Sequence, residues 1–563
     1  MKMAKGARNR WRHSSRYGTG ISLDGIEAYL NRTLDDWLWI KSRDPDLIHE
    51  ELEAAGVPFH TKPRAYQAAC TLIGTIMPAF AYFLDPGMGK SKIILDLTSW
   101  RKQQGLIGRT LILCLTEIAA QNWVEQIKEH APHLSYTMLF GNRDTRLALL
   151  EEETDISLLN YPGLQAYMTY HDKVKKRMLP DKGMVSAFAS KWDQLILDES
   201  HTLGNPHTLV YTLVHAISRH AQFRYALTGT AFGRDPMLLW SQMDVIDHGE
   251  SLGRTLGLFR TAFFAQKENY WGGMEYTFRQ RMKNELSRLL QHRSITYEAS
   301  EVKDLPPVSR IPILVKLPED AKAMYENVVS ELKSVYGNYT ATENSFLRMR
   351  QISSGYLTAK MKDDEGKEID SMEMVFDCPK LEALMELLNE IPENEKVVVF
   401  HEFIPSGKRI SDTLKAEGIS HVRLWGGSED KPEILTKFLR DPKCRILVAN
   451  HKVGGTSLNL QVSRYIIFFE SPVSPITRTQ AENRCTGMRQ SQHSFIYDLV
   501  TRGTVDEDIL KFAKEGRDLR SEICSGKIRY EQLKLAEGKH EAKQFERKAS
   551  IGKTDQVHPT ATR

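Results

Sequence analysis

The sequence predicts an α/β protein built from two lobes, each with a parallel sheet, and with helical insertions between them. Short apolar runs rich in β-branched residues recur along the chain and are separated by helical patterns. In the first half these runs are residues 81–84, 110–115, 156–159, 194–197 and 224–227. In the second half they are residues 396–400, 421–424, 445–449, 465–469 and 494–499. Runs that are bounded by turn residues and alternate with helices are typical of βαβ units, whose strands are parallel.

Length and composition indicate a multidomain globular protein. The chain has 563 residues, and a domain size of roughly 150 residues favours three or four units. Its hydrophobic fraction of 41% and charged fraction of 26% exclude disorder as the main state. The formal net charge is only +4, so any affinity for nucleic acid must come from local patches.

Changes of pattern divide the chain into five predicted segments. They are a basic N-terminal extension (1–55), a first lobe (56–246), helical insertions with the connection between the lobes (247–376), a second lobe (377–523) and a charged tail (524–563). A joint at Pro306-Pro307 cuts the middle segment in two. The tail mixes both signs of charge, which suits a solvated helix or a mobile end.

The cysteines and the apolar stretches favour a reducing, aqueous compartment. The six cysteines lie far apart and form no Cys-x-x-Cys pair, which argues against a zinc ribbon and a disulfide framework. Residues 68–84 carry no charge, but they contain Pro78 and reach only the short limit of about 17 residues for a membrane span. We therefore expect a buried helix followed by a buried strand, no contact with a membrane, and a cytoplasmic protein.

A glycine-rich turn after the first apolar run is the first candidate site. Glycines let backbone N–H groups approach phosphate oxygens, and the start of the following helix adds favourable partial charge. The candidate ATP-binding residues here are Gly87, Met88, Gly89, Lys90 and Ser91. Lys90 would reach the β- and γ-phosphates, and Ser91 would hold Mg²⁺. Because Leu84 stands where the full motif has its first glycine, an ordinary strand-to-helix turn stays an alternative.

A second apolar run, 194–197, ends in two acids, Asp198 and Glu199. A carboxylate at the carboxyl end of a parallel strand lies in the crevice where such sheets bind ligands. Asp198 would support the Mg²⁺, and Glu199 would accept a proton from the attacking water. The alternative is that the two acids are solvated turn residues.

The segment Asp198-Glu199-Ser200-His201 resembles the DEAH box of superfamily 2 helicases and translocases, and further segments resemble the Swi/Snf-related branch of that superfamily. They are, in chain order, residues 63–67 (motif Q), 111–114 with 121–125 (Ia), 160–161 (Ib), 227–231 with 239–240 (III), 396–400 (IV), 454–460 (V), 480–484 (VI) and 503–507. The resemblance runs from about residue 62 to 509, and Gly-Gly-Thr-Ser-Leu-Asn-Leu at 454–460 is its most family-specific match.

The resemblance implies two RecA-like P-loop NTPase lobes that bind ATP and Mg²⁺, with Gln67 on the adenine base. The residues that it implies for coupling ATP to nucleic acid are His201, Thr228, Gly229, Thr230 and Gly455. Those that it implies for contacts with nucleic-acid phosphates are Asn160, Thr456 and Ser457. Arginines of motif VI would stabilise the γ-phosphate when the lobes close.

Motif VI departs from the family pattern, which has a second arginine three residues after the first. Here Arg484 is followed by Cys-Thr-Gly-Met and then Arg489. A two-residue insertion would make Arg489 the second arginine, and we favour this interpretation because Gln492 then restores the downstream pattern. Otherwise Gly487 occupies the place and the second arginine is missing. The tryptophan that the family has after motif V is Val473 here.

The resemblance implies a DNA-dependent ATP hydrolase that translocates on duplex DNA as a monomer and remodels protein–DNA complexes or branched DNA. Two alternatives stay open: a strand-separating helicase with a wedge within residues 278–292, and an ATP-binding scaffold with weak turnover. The basic N-terminus could add phosphate contacts or be disordered. The compact length suits a prokaryotic or viral member, which in the viral case would act in the host cytoplasm.

Overall fold

The structure is a computed structural model that describes residues 23–172, 174–229, 236–268, 274–298, 301–302, 306–335, 339–362, 368–451, 460–486, 490 and 492–516. These residues divide into two compact units. The first unit holds the described residues up to Pro307 and those within 454–462 and 483–493, and the second unit holds the rest. The predicted charged tail and the first 22 residues of the basic extension lie outside the described residues.

The first unit contains a seven-stranded parallel sheet. The strands of the unit are β1 (Ala79–Leu84), β2 (Thr110–Cys114), β3 (Tyr136–Met138), β4 (Ile156–Asn160), β5 (Thr169–Asp172), β6 (Arg177–Pro180), β7 (Gln194–Asp198), β8 (Phe223–Thr228), β9 (Phe264–Glu268), β10 (Met274–Phe278) and β11 (Ser294–Tyr297). The sheet order is β11-β1-β8-β7-β2-β4-β3, and all neighbours are parallel. The pairs β5–β6 and β9–β10 form separate antiparallel hairpins.

The second unit contains a six-stranded parallel sheet. The strands of the unit are β12 (Val308–Val315), β13 (Tyr356–Lys362), β14 (Glu368–Val375), β15 (Val397–His401), β16 (His421–Leu424), β17 (Ile446–Asn450), β18 (Tyr465–Phe468) and β19 (Ser494–Thr501). β13 and β14 lie outside this sheet and form a separate antiparallel pair. The sheet order is β12-β19-β18-β15-β17-β16, again with parallel neighbours throughout. The predicted class, two α/β lobes with parallel sheets, is confirmed.

Helices connect the strands of both sheets, as parallel strands require. The described α-helices of the chain up to Pro307 are Leu23–Asn31, Pro45–Ala54, Ala65–Ile76, Lys90–Gln103, Glu117–His130, Arg143–Leu150, Leu164–Met168, Lys182–Ala189, Leu209–Ser218, Met237–Asp247, Leu256–Phe263 and Lys283–Gln291. Those after it are Glu319–Val335, Tyr339–Ser353, Pro379–Glu390, Ile404–Ala416, Lys431–Arg440, Pro475–Cys485 and Val505–Lys514. Short 3₁₀ helices are Leu38–Ser42, Tyr161–Gly163, Ser200–Leu203 and Gln280–Met282.

The first sheet is buried on both faces. Alternate side chains of β1 pack into different cores: Tyr82 and Leu84 belong to one cluster of apolar residues, and Ala81 and Phe83 belong to the other. Successive side chains of a strand point to opposite faces, so a strand covered on both sides must be apolar throughout. This is why a continuous apolar run, rather than an alternating one, predicted β1 correctly. The preceding uncharged residues form the buried helix Ala65–Ile76, as expected.

Among the described residues, six strands lie in the stretch 247–376, which the sequence pattern had indicated to be mostly helical, and two of them, β11 and β12, belong to the parallel sheets. β11 has only four residues and follows an amphipathic helix almost directly, so its apolar signal merges with that of the helix. β12 is an edge strand that contains Pro312, a residue that weakens a strand signal and that sheets tolerate at their edges. The boundary between the compact units falls directly after Pro307, while the five predicted segments stay a prediction.

Two further features concern the environment of the chain. Within the described residues, no helix is both long enough and apolar enough to cross a membrane. The described cysteines, Cys70, Cys114, Cys378, Cys444 and Cys485, are buried free thiols.

A buried histidine makes the stability of the second unit depend on pH. His401, at the end of β15, is fully buried, and its Nδ1 lies 2.9 Å from the carbonyl oxygen of Phe403. Burial lowers the pKa of His401 from 6.5 to about 4. An unfolded imidazole therefore takes up a proton at a higher pH than the folded one. The stability that this neutral group contributes is present above pH 6.5 and is lost as the pH falls towards 4.

The unfolding free energies of the wild type and of His401→Gln are to be compared at pH 7 and pH 5. Between these pH values, we expect that of the wild type to fall by about 2 kcal/mol more than that of the variant. The amide of glutamine does not titrate, so the difference between the two proteins isolates the imidazole. Denaturant unfolding at the two pH values measures it. An identical pH dependence in both proteins would show that His401 is not held neutral by burial.

Candidate active site

Three adjacent strands bring the predicted site segments together. β8 lies between β1 and β7 in the sheet, and all three run in the same direction. Phe83 of β1 is paired with Thr228 of β8, and Asp198 of β7 is paired with Leu227. The glycine-rich turn, the two acids and the segment after Thr228 therefore leave the sheet side by side at its carboxyl edge. This is the edge at which open α/β sheets bind their ligands.

The glycine-rich turn adopts a backbone that favours glycine at two positions. Gly87 has φ 81° and Gly89 has φ 68°, both in the left-handed region. Gly89 directly precedes the helix Lys90–Gln103. The turn therefore combines two glycines in the left-handed region with the positive end of a helix, which is an arrangement that binds phosphate groups. Ser91 lies in the first turn of this helix and is partly exposed.

Lys90 places its ammonium group across the turn. Its Nζ donates to the carbonyl oxygen of Leu84 at 2.8 Å and lies 3.4 Å from that of Asp85. Burial lowers the pKa of Lys90, and the nearby charges of Glu199 and Asp198 oppose this shift. Because the ammonium of the partly buried Lys90 is held by backbone carbonyl oxygens, an anionic ligand can bind it in exchange for these hydrogen bonds.

Gln67 is tied to the turn rather than to solvent. It is buried, its Oε1 accepts a hydrogen bond from the backbone N–H of Arg64 at 2.9 Å, and its Nε2 donates to the Met88 carbonyl oxygen at 3.4 Å. The hydroxyl of Tyr66 donates to the same carbonyl at 2.9 Å. Two side chains of one helix thus hold Met88 in place. Tyr66 lay within the predicted motif Q, but its role was not foreseen.

Asp198 is held by two aromatic residues from other segments. The indole N–H of Trp123 donates to its Oδ2 at 2.9 Å, and the hydroxyl of Tyr161 donates to its carbonyl oxygen at 2.8 Å. Burial, together with the charge of Glu199, raises the pKa of Asp198 to about 6, while Trp123 and Lys90 act against this increase. The sequence signal for Trp123 and Tyr161 was their place in motifs Ia and Ib, which did not reveal the acid that they contact.

Glu199 differs from its neighbour in both its backbone conformation and the direction of its pKa shift. Its backbone is left-handed, with φ 51° and ψ 51°, which is rare for a side chain other than glycine. Its Oε2 lies 3.2 Å from Nδ1 of His201. Burial acts to raise the pKa of Glu199, but contact with His201 and the charge of Lys90 together hold it below its usual value. Glu199 is therefore ionised at neutral pH.

Thr228 and Gly229 connect the two acids with the glycine-rich turn. Nδ1 of His201 lies 3.2 Å from Oγ1 of the buried Thr228. A Cβ atom on Gly229 would lie 2.4 Å from Cδ and 2.9 Å from the backbone nitrogen of Pro86. Because real Cβ atoms do not approach other atoms so closely, only glycine fits here without moving the turn. Pro86 was not among the predicted site residues.

Arg484 contributes a buried cation to the first unit. It is 7% exposed, and its backbone carbonyl accepts a hydrogen bond from the N–H of Leu460 at 2.9 Å. Its Nη1 is buried and has no hydrogen-bond partner among the described residues. Burial lowers the pKa of Arg484 to about 10, and the charge of Glu199 is among the influences that oppose this. An unsatisfied guanidinium nitrogen near an acid is suited to an anionic ligand.

The remaining predicted residues are only partly described. Asn160 ends β4, and its buried Oδ1 also lacks a hydrogen-bond partner among the described residues. The residues that lie outside the described part are Thr230, Gly455, Thr456, Ser457, Gly487 and Arg489. The two interpretations of motif VI therefore both stay open.

The side chains present fit ATP with a divalent cation. The turn offers backbone amides and a lysine for phosphate oxygens, Ser91 and Asp198 offer oxygen atoms for Mg²⁺, and Arg484 offers an unsatisfied donor. A parallel sheet with this turn after β1 and acids after β7 defines the P-loop class of nucleotide-binding proteins.

Comparison with known proteins gives the family. Residues 74–369 match the SNF2-related domain, and residues 379–487 match the helicase conserved C-terminal domain. Since the first match covers more than half of the chain, the protein belongs to the SNF2-related family.

The curated relatives are distant. A putative ATP-dependent helicase/translocase of Bacillus subtilis, YwqA, is 22% identical over 78% of this chain and 46% of the relative. The putative helicase 172L of Invertebrate iridescent virus 6 is 20% identical over 63% of this chain and 66% of the relative. The chain spans about half the length of several of these relatives. A solved SWI2/SNF2 ATPase core of Sulfolobus solfataricus in complex with dsDNA is 22% identical, covers 83% of this chain and 94% of that chain, and has a TM-score of 0.37.

The contact between Gly229 and Pro86 gives a direct test of the site. We expect Gly229→Ala to displace the glycine-rich turn and to weaken nucleotide binding and turnover by about 10-fold or more, since small misplacements of this kind are costly. Gly257→Ala is the matched control, because a Cβ there meets nothing within 4 Å and the residue lies in the helix Leu256–Phe263. Titration with a fluorescent ATP analogue measures the effect, and equal affinities for the two variants would contradict the contact.

The hydrogen bond to Asp198 gives a pH-dependent test. Trp123→Phe removes the indole N–H that opposes the raised pKa of Asp198, so we expect the acid limb of the ATP turnover profile to move up by about one pH unit. Trp192→Phe is the control, because the buried Nε1 of Trp192 has no hydrogen-bond partner among the described residues. ATP turnover is measured from pH 5 to 9 for both variants. An equal shift of the acid limb in both would show that the effect comes from packing and not from the hydrogen bond to Asp198.

Proposed function

We propose that the protein is an ATP hydrolase that is stimulated by DNA and that moves along duplex DNA as a monomer. The observation that carries this proposal is that Lys90, in the helix after β1, lies near Asp198 and Glu199 at the end of β7, with only β8 between the two strands. Membership of the SNF2-related family supports it, as do the relatives, which are named as ATP-dependent helicases and translocases.

In this proposal the two acids have different tasks. Glu199, whose pKa is held low, accepts a proton from the attacking water as a general base. Asp198, with Ser91, would hold Mg²⁺, which would neutralise charge on the phosphates when bound. The indole of Trp123 fixes the Asp198 carboxylate, so its free oxygen is oriented before any cation binds. His201 positions Glu199.

The cations bind and stabilise the phosphates. Lys90 would leave the Leu84 carbonyl for the β- and γ-phosphate oxygens, and the unsatisfied Nη1 of Arg484 would donate to the γ-phosphate. We propose Arg489 as a second arginine finger, and an arginine of this kind can contribute about 10³-fold or more to the rate in related enzymes. Arg489→Ala with full activity would favour the interpretation in which Gly487 takes its place.

The proposed path from ATP to DNA runs through the segment after β8. His201, Thr228 and Gly229 touch both the acids and the glycine-rich turn, so a change at the γ-phosphate would reach this segment first. Thr230 and Gly455 would extend the path. Asn160, Thr456 and Ser457 would contact phosphates of one strand, which gives register without sequence recognition. The contact of Gln67 with adenine remains part of the proposal.

Translocation without strand separation is favoured over unwinding. The segment proposed as a wedge, 278–292, contains the helix Lys283–Gln291, whose Leu286, Leu289 and Leu290 are buried. Its apolar residues are used by the core of the unit and are not available to separate bases. Remodelling of protein–DNA complexes or branched DNA is the outcome that we propose for such movement.

Substitutions at the two charged centres test hydrolysis. We expect Lys90→Ala and Glu199→Gln each to lower ATP turnover by about 10³-fold, with Glu199→Gln still binding ATP because only the proton acceptor is lost. Lys191→Ala and Glu151→Gln, at a surface ion pair of the same unit outside the motifs, are the matched controls and should retain full activity. Phosphate release and ATP binding are measured for all four.

Turnover should rise with duplex DNA more than with single-stranded DNA. An absence of stimulation by any DNA would exclude the motor and favour an ATP-binding scaffold. Robust unwinding of a forked substrate would favour a helicase.

A further inference from the structure

A small hairpin, β5 and β6, lies along the chain between β4, which ends at Asn160, and β7, which ends at Asp198. β5 and β6 pair only with each other, antiparallel, and take no part in the main sheet. Thr169 is paired with Pro180, and Asp172 with Arg177 at the far end. A two-stranded hairpin is marginally stable alone in water, so other contacts must fix its base.

The base of the hairpin is fixed to the segment that follows Asn160. Met168 and Thr169 are buried, and Oγ1 of Thr169 donates to the carbonyl oxygen of Gln165 at 2.7 Å. The backbone N–H of Asp181 donates to the carbonyl of Met168 at 3.0 Å, which closes the base. The short helix Leu164–Met168 that carries these groups begins directly after the 3₁₀ turn next to Asn160. The hairpin is therefore a fixed extension of motif Ib.

The far end of the hairpin carries exposed cations that the fold does not use. Lys175, Lys176 and Arg177 are all exposed. Within the part of the chain that the structure describes, no carboxylate lies within ion-pair distance of these three side chains. The neighbouring Val174 is 92% exposed, so the turn packs against no other part of the described chain.

The one acid of the hairpin is committed to the backbone. Between residues 169 and 180 the sequence contains a single carboxylate, that of Asp172. Its Oδ1 accepts hydrogen bonds from the backbone N–H groups of Val174 and Lys175, each at 2.9 Å. Although Asp172 is paired across the strands with Arg177, its carboxylate caps the turn instead of neutralising the guanidinium. The carboxylate keeps its single negative charge in this role, so Lys175, Lys176 and Arg177 leave the turn with a net positive charge.

We propose that Lys175, Lys176 and Arg177 form a phosphate-binding surface for the backbone of duplex DNA. The charges stand on a hairpin whose base is fixed next to Asn160, so they would meet phosphates beyond those that the motifs contact. Long cationic side chains on an exposed turn contact phosphates without sequence recognition, and each contact releases counterions. This inference rests on the proposed function, because it requires DNA as the track.

The test is the salt dependence of DNA binding by the full chain. The variant Lys175→Gln/Lys176→Gln/Arg177→Gln changes only exposed side chains and keeps Asp172, so it should unfold at the same temperature as the wild type. We expect the slope of log K against log salt for a random-sequence duplex to fall by about 2 to 3, since each phosphate contact contributes about 0.9. At low salt the affinity should fall at least tenfold, while maximal ATP turnover at saturating DNA should be unchanged.

A matched variant separates this surface from overall charge. Lys415→Gln/Lys437→Gln/Arg440→Gln removes the same charge from exposed positions of the second unit. The proposed phosphate-binding surface would be wrong if the control loses as much affinity for DNA and as much salt dependence as the hairpin variant. It would also be wrong if the hairpin variant binds DNA like the wild type. In both cases DNA-stimulated turnover by the wild type would leave the proposed function intact. Absence of any stimulation in the wild type would overturn both.

Discussion

The candidate site depends on the attraction between the ammonium of Lys90 and two acids, Asp198 at the end of β7 and Glu199 directly after it. Two carboxylates next to each other in a buried position repel, and each makes the other harder to ionise. The lysine offsets this repulsion, but not equally for both. Asp198 keeps a pKa raised to about 6, while the pKa of Glu199 lies below its usual value. One pair of neighbouring acids thus contains two chemically different groups.

The backbone produces this difference. The left-handed conformation of Glu199 separates the two side chains, so that Glu199 meets His201 and Asp198 meets Trp123. If β7 continued as a strand, Asp198 and Glu199 would also lie on opposite faces of the sheet. The turn is needed to bring His201 into contact with Glu199. The unusual conformation of Glu199 costs of order 1 kcal/mol. The next residue, Ser200, donates a buried hydrogen bond to Gln242, which stabilises this turn.

Much of the fold could be predicted from the sequence, because ten strands of the two parallel sheets are mostly apolar runs between turn residues. β3, β11 and β12 escaped because β3 and β11 are very short and β12 is a half-exposed edge strand with a proline. For the site, the glycines, lysine and acids are signalled by their own types and spacing. Trp123, Tyr161 and Pro86 act through long-range contacts, and nothing in a local pattern states which distant residue an aromatic ring or a proline will touch.

The missing first glycine of the turn has a structural explanation. Leu84 is fully buried as the last residue of β1, and its carbonyl oxygen accepts the hydrogen bond from Lys90. At this position the chain uses the backbone for the site and the side chain for the core. A leucine therefore serves where the usual motif has a glycine, and the departure leaves the phosphate-facing glycines untouched.

The close approach of Gly229 to Pro86 has a mechanical consequence. Atoms in van der Waals contact repel strongly when pressed together but attract only weakly when drawn apart. A displacement of the segment after β8 towards the glycine-rich turn must therefore move Pro86, whereas a displacement away from it need not. The contact between Gly229 and Pro86 therefore transmits motion in one direction only. A cyclic motion of the segment after β8 would displace the glycine-rich turn only during its movement towards the turn.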